Sequence, residues 1–261
     1  MSERNFQLAL LHMYKTIDEK QAYVDAAFEQ FALSAPQKQW LKELMTSQRE
    51  ALLTFNELLR GKRRRLIRHA LPASRSACGG RFEALLNEYV LPAGGDGPAI
   101  GPALVRTFAE YVETQAADDE ATCRELELIR FEALLASVSL RPGTSDRHAE
   151  LSSDLCLRLG DDAHLVSCHY DVVAAISDPL LLESLPRLPM PQWFLLFADE
   201  TRGPRTFAIA PGLAKVLGLF VGGASLSEVL NRLETESERA LASQSIAKLS
   251  RVGVPFSRRI G

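Results

Sequence analysis

The sequence predicts an α+β fold, with a helical bundle in the first half and a small C-terminal α/β domain built around a β-hairpin. Three observations predict it. From Phe6 to Val138 the apolar residues recur at helical spacing. A stretch with few large apolar residues follows, from Ser139 to Ser153. Beyond it the apolar period drops to two, first at Leu155, Leu157 and Leu159. The expected organisation is therefore a bundle over residues 1–140, a linker over 141–153 and a small domain over 154–261.

Each element has a local reason. Ser34-Ala35-Pro36-Gln37 reads as a helix start: Ser34 accepts from first-turn N–H groups, Pro suits that turn, and Gln37 sits three residues after the cap. Phe55, Leu59, Leu66 and Ala70 share a face of the continuation. Leu71-Pro72 ends it, because a residue before proline is pushed out of helical geometry. Phe82, Leu85, Leu86, Tyr89 and Val90 form an amphipathic stripe, and Leu104, Val105, Phe108, Tyr111 and Val112 form a second. Between them, the turn formers Pro92 to Pro98 predict a flexible connection. A further helix is predicted from about Asp119 to Val138, with Leu126, Ile129, Ala133 and Leu134 inward.

In the second half, Leu155–Leu159 predicts a strand, followed by a turn at Gly160-Asp161-Asp162 and a strand over His164 to Tyr170. The apolar run Trp193 to Ala198, a turn over Asp199 to Arg205, and the alternating Thr206 to Ile209 predict a hairpin. Pro211 opens a helix reaching Phe220, which Gly222-Gly223 ends. Ser225-Leu226-Ser227-Glu228 is a capping box, and the helix after it, expected over Ser227 to Arg239, turns Leu226, Val229, Leu230 and Leu233 inward.

Composition narrows the function classes. The 261 residues carry 30 Lys+Arg against 33 Asp+Glu, a formal charge of −3, with 46% hydrophobic and 24% charged residues. That is ordinary globular composition, without the strong positive charge of a nucleic-acid coat. No apolar run approaches the ~18 residues of a membrane span, and Met1-Ser2-Glu3-Arg4 opens no secretory signal, so a cytoplasmic protein is expected. Cys78, Cys123, Cys156 and Cys168 are widely spaced with no CxxC pair, which supports neither a disulfide framework nor a zinc site.

The candidate chemistry is sparse. His12, His69, His148, His164 and His169 form no helical metal pair, and the odd separation of His164 and His169 points them to opposite faces of a strand. Gly218 to Gly223 follows a helix, not a strand, so it reads as a helix stop and not a dinucleotide loop. No nucleophile–base set, metal cluster or phosphate loop is legible. Catalytic residues and metal ligands are accordingly assigned to none. The run Arg60, Lys62, Arg63, Arg64, Arg65, Arg68 holds six cations in nine positions. It reads either as a surface for an anionic partner, with Arg60, Arg63, Arg64 and Arg68 as interface candidates, or as a solvated face paired with Glu57 and other acids.

Several stretches resemble a partner-protein family. They are Leu52–Leu59, Lys62–Arg65, Leu71-Pro72, Phe82–Tyr89, Phe108–Tyr111 and Glu125–Glu132. The family accompanies multinuclear iron enzymes of TIM-barrel fold in the maturation of ribosomally made, post-translationally modified peptides; the methanobactin partner MbnC, the thiaglutamate-pathway partner TglI and the HvfC type belong to it. Ala214 to Leu230 is also similar to the helical part of winged-helix peptide-recognition elements, which bind a leader peptide as an added strand. The resemblance implies a heterodimer in which iron belongs to the partner chain and this chain binds no cofactor. It transfers no catalytic residue. It implies a precursor peptide held at a sheet edge, with Trp193, Phe194, Leu196, Phe207 and Ile209 as the nearest candidates, although an apolar hairpin also needs such residues for its core. The TglI type, with β-carbon excision from a cysteine, is favoured over the MbnC type, with oxazolone and thioamide formation. A winged-helix DNA-binding regulator and an independent hydrolase or transferase using His169 are the other readings. Against the regulator, Glu228, Glu234, Glu236 and Glu238 would repel phosphate.

Overall fold

A computed structural model describes residue 9 and residues 33–90, 101–117, 119–139, 155–157, 163–199, 203–220, 224–254 and 256–258. The Pro92–Pro98 connection, the 141–153 linker, the Gly160–Asp162 turn and the Gly222-Gly223 stop lie outside the described residues, as do residues 10–32. The fold is α+β, mostly helical, with a three-stranded antiparallel sheet toward the C-terminus.

The chain divides into two compact units, one of residues 1–66 and 87–96, the other of residues 67–86 and 97–261. In the first, α1 (Ala35–Ser47) begins at the predicted cap: Gln37 N donates to Ser34 Oγ at 3.4 Å, and Ser34 N to Gln37 Oε1 at 3.0 Å. Helix α2 (Arg49–Ala70) follows and stops before Pro72.

In the second unit, α3 (Pro72–Val90), whose end belongs to the first, is broken at Gly79, where φ is 42°. Only glycine takes that left-handed conformation cheaply. The buried Glu132 carboxylate accepts from Ala73 N at 2.9 Å and Ser74 N at 2.7 Å, satisfying first-turn donors of α3. Helices α4 (Pro102–Glu113) and α5 (Glu120–Ser139) follow. Phe82 meets Phe108 edge-on at 6.2 Å between centroids.

The sheet has the order β2 (Ala163–Cys168), β3 (Gln192–Asp199), β4 (Gly203–Ile209). Between β2 and β3 lie the short α6 (Val172–Ser177) and a 3₁₀ helix (Pro179–Ser184). Strand β1 (Leu155–Leu157) does not join this sheet; it pairs instead with β5 (Phe256–Arg258), about a hundred residues away in sequence. Helices α7 (Pro211–Gly218), α8 (Leu226–Asn231) and α9 (Glu236–Arg251) follow the hairpin. The single helix expected over Ser227 to Arg239 is thus two helices, because Thr235 and Glu238 form a second capping box that starts α9.

The sheet is covered on both faces. Val166, Phe194 and Leu196 share one face, where Phe131 of α5 meets Phe194 edge-on at 5.2 Å. Ala163, Leu195 and Phe197 share the other, over Leu217, Phe220, Val229, Ile246 and Phe256. Helix α5 supplies one wall of the sheet's core and also packs along α4.

Candidate functional site

Two concave regions of the second unit bring polar and apolar side chains together. The first lies along the outer edge of β4. Among the described residues β4 pairs only with β3, from Trp193↔Ile209 to Asp199↔Gly203, so its other edge presents unpaired N–H and C=O groups. Beside that edge is an open groove of about 450 Å³, lined by Thr206, Phe207, Ala208 and Ile209 of β4, Leu213 of α7, and Ser245, Lys248 and Leu249 of α9. Each wall has a sequence reason. Gly203, at φ 76°, follows the hairpin loop and opens β4. Pro211 starts α7 immediately after β4. On α9, Ala242, Ile246 and Leu249 are buried at helical spacing, which leaves Ser245 and Lys248 beside the groove.

The five edge candidates separate by face. Phe194 and Leu196 are buried on the α5 side and belong to the core. Trp193 sits opposite Ile209, and Phe207 opposite Leu195, on the other face. Of the five, Phe207 and Ile209 line the groove, half-buried. The groove residues of α9 were hidden in sequence because the acidic stretch Glu234–Glu238 reads as a solvated helix end. The Thr235-x-x-Glu238 box followed by Ala242, Ile246 and Leu249 was the signal that could have found them.

The second region is a cavity of about 510 Å³ at the start of α5, lined among others by Cys123, Glu127, His169, Tyr170 and Arg187. The Glu127 carboxylate accepts from His169 N at 3.0 and 2.8 Å and from Tyr170 N at 3.1 Å, and lies 2.7 Å from His169 Nδ1. Four contacts on one carboxylate fix the end of β2 to α5. His164, in β2, reaches the same helix: its Nε2 is 2.9 Å from Ser137 Oγ. The two histidines were expected on opposite faces of one strand, but β2 ends at Cys168 and the chain turns at His169, so both reach α5. Their partners, Glu127 and Ser137, are ten residues apart, about 15 Å along a helix, which separates them as ligands. Among the described residues no group of three or more His, Cys, Asp and Glu is placed to hold a metal ion.

Burial governs the thiols. It pushes Cys78 and Cys168 up to about 12, so both are protonated at neutral pH, and it raises the Tyr170 phenol as well. Cys168 and His169 are adjacent in sequence, yet Cys168 is 1% exposed in the sheet core while His169 turns to Glu127.

The interface arginines are largely occupied within the chain. Arg60 is buried and donates to Glu57 at 2.6 Å, and Arg64 Nη1 lies 3.9 Å from the same carboxylate. Arg68 forks onto Glu83 at 2.9 Å through Nε and 2.5 Å through Nη2. Arg63 is half-buried.

No protein-family model matches the chain, and no curated protein matches it. Among the described residues no helix is long and apolar enough to cross a membrane.

Proposed function

We propose that this chain is a non-catalytic partner subunit of an iron-dependent peptide-modifying enzyme. It takes up a ribosomally made precursor peptide as an added strand on β4 and presents the peptide's cysteine to the partner's active site. The observation that supports this reading is the open β4 edge beside α9. An extended peptide there completes the unpaired backbone groups of the edge, and alternate side chains enter the groove between Phe207, Ile209, Leu213 and Leu249. A three-stranded antiparallel sheet followed by α7, α8 and α9 is compatible with a winged-helix-like peptide-recognition element. The resemblance of Ala214–Leu230 to such elements supports it independently of the groove. Within this reading the chemistry is β-carbon excision from a cysteine, with oxazolone and thioamide formation as the alternative, and the iron belongs to the barrel-shaped partner.

Lys248 gives the groove a cation, which favours a peptide with a carboxylate near its apolar anchor. The test uses the full chain and a fluorescently labelled, cysteine-bearing candidate precursor peptide. Ser245→Trp fills the groove and leaves the buried side of α9 intact, so binding anisotropy should be lost while the complex with the barrel enzyme persists. Unchanged peptide binding by Ser245→Trp would refute the placement, and turnover by the isolated chain would refute the adaptor role.

A further inference from the structure

The cavity at the start of α5 carries two opposite charges that the chain itself does not satisfy. Glu120 and Arg187 both line it, both are exposed, and neither has an ion-pair partner among the described residues. Its wall adds Tyr170, 2% exposed, whose hydroxyl makes no hydrogen bond among the described residues. The ring is buried and the hydroxyl opens into the cavity. Burial raises this phenol, the Glu120 carboxylate raises it further and Arg187 opposes them, so both charges act on the hydroxyl. His169 supplies a fourth group. Its Nδ1 lies 2.7 Å from a Glu127 oxygen that can only accept, so Nδ1 carries the proton. In the neutral ring that leaves a lone pair on Nε2, without a partner among the described residues, on a side chain 43% exposed. The neighbouring charges are already engaged. Glu127 holds the end of β2, Asp119 accepts from Thr122 N at 2.7 Å, and Arg124 donates to Leu185 O at 3.2 Å.

We infer that this cavity binds a compact zwitterion of the amino-acid class, a primary ammonium and a carboxylate on one short chain. The ligand carboxylate pairs with Arg187 and accepts from the Tyr170 hydroxyl. The ammonium donates to Glu120 and to His169 Nε2. A ligand with one charge alone leaves either Glu120 or Arg187 unmatched. The start of α5 is not by itself the carboxylate's site, because Asp119 already caps it. A volume of about 510 Å³ is in the range of small-molecule sites and accommodates a free amino acid or a short peptide, with Leu126 and Ala117 offering apolar wall to a side chain. The cavity shares no residue with the β4 groove, and the inference does not depend on the partner-subunit reading.

The test is calorimetric titration of the full chain at neutral pH with four probes. L-Leucine and the dipeptide alanyl-leucine carry both charges, at different separations. Leucine methyl ester keeps only the ammonium, and N-acetyl-leucine only the carboxylate. One of the two zwitterions should bind saturably with a Kd below about 10 mM, and both single-charge analogues at least about tenfold more weakly. The tighter zwitterion tells a free amino acid from a peptide. Glu120→Gln and Arg187→Gln, at exposed sites, should each weaken binding about tenfold with the unfolding midpoint unchanged. Tyr170→Phe should weaken it about fivefold without lowering the midpoint, because the hydroxyl bonds nothing in the unliganded chain. Saturating ligand should also slow iodoacetamide labelling of Cys123, which lines the cavity. Absence of saturable binding by either zwitterion, or equal binding of a single-charge analogue, would overturn the inference. Binding that leaves Cys123 labelling and the three variants unaffected would place the ligand elsewhere and overturn it too.

Discussion

Truncating Phe131 to alanine tests whether α5 and the sheet are one folded body. Phe131 is 1% exposed, and its ring meets Phe194, itself 3% exposed, edge-on at 5.2 Å. Removing a buried phenyl ring costs about 3–5 kcal/mol, combining lost transfer free energy with a cavity that close-packed neighbours fill only partly. The aromatic pair accounts for about 0.5–1.5 kcal/mol of that range. Neighbouring ties hold the walls in place, with Glu127 on His169 and Tyr170 to one side and Ser137 on His164 to the other, so little collapse is available and the upper half of the range is expected. Urea unfolding in a Trp40→Phe background, followed by far-UV circular dichroism and by fluorescence of Trp193, which lies in β3 next to Phe194, reads both parts. The two signals should shift together to lower urea. A cost below about 1 kcal/mol, or a helical signal that shifts while the tryptophan signal stays, would refute the shared core.

Two other perturbations follow from buried polar groups. Glu132→Gln keeps the size but loses the charge that accepts from Ala73 N and Ser74 N, and should destabilise by about 1–3 kcal/mol in urea unfolding; a change within ±0.5 kcal/mol would show that the carboxylate is not a helix cap. The folded-state pKa of Cys78 and Cys168 is about 12, above the unfolded value near 8.5, so the folded state retains these protons longer. Their stabilising contribution is complete below the unfolded pKa and is lost as pH rises toward 12. The loss should be up to about 1.4 kcal/mol per pH unit for each thiol, and iodoacetamide at pH 8 should modify half-buried Cys123 well before either. Flat stability between pH 9 and 11, or equal labelling of the three thiols, would contradict this.

What was legible in sequence is what local chemistry determines. The Ser34 and Ser225 capping boxes, the stop at Leu71-Pro72 and the amphipathic stripes of α3 and α4 depend on residues within one or two turns, and each appears where the pattern puts it. The β3–β4 hairpin was legible for the same reason, since its strands are joined by a short loop. Pairings over long separations left no such trace. Nothing near Leu155 announces that its partner is Arg258, and nothing in α5 announces that Phe131 faces a strand sixty residues on.

The candidate site was legible as an apolar hairpin and no further. The apolar run Trp193–Ala198 and the alternation Thr206–Ile209 pointed to Trp193, Phe194, Leu196, Phe207 and Ile209 without telling which face is covered by α5 and which lies beside a groove. The groove's second wall depends on where α9 packs, which local pattern does not fix. For the arginines, the cation count was plain, but their partners were not. Glu57 lies three and seven residues away on the same helix, whereas Glu83 reaches Arg68 from α3.

Backbone amide exchange of the full chain, measured residue by residue with and without the precursor peptide, addresses strand addition on β4 most directly. Bound peptide should slow every second amide between Arg205 and Ile209, those directed away from β3, because an added strand bonds only the outward-facing groups. Uniform exchange along β4 in the presence of saturating peptide, with protection arising elsewhere in the chain, would contradict the account.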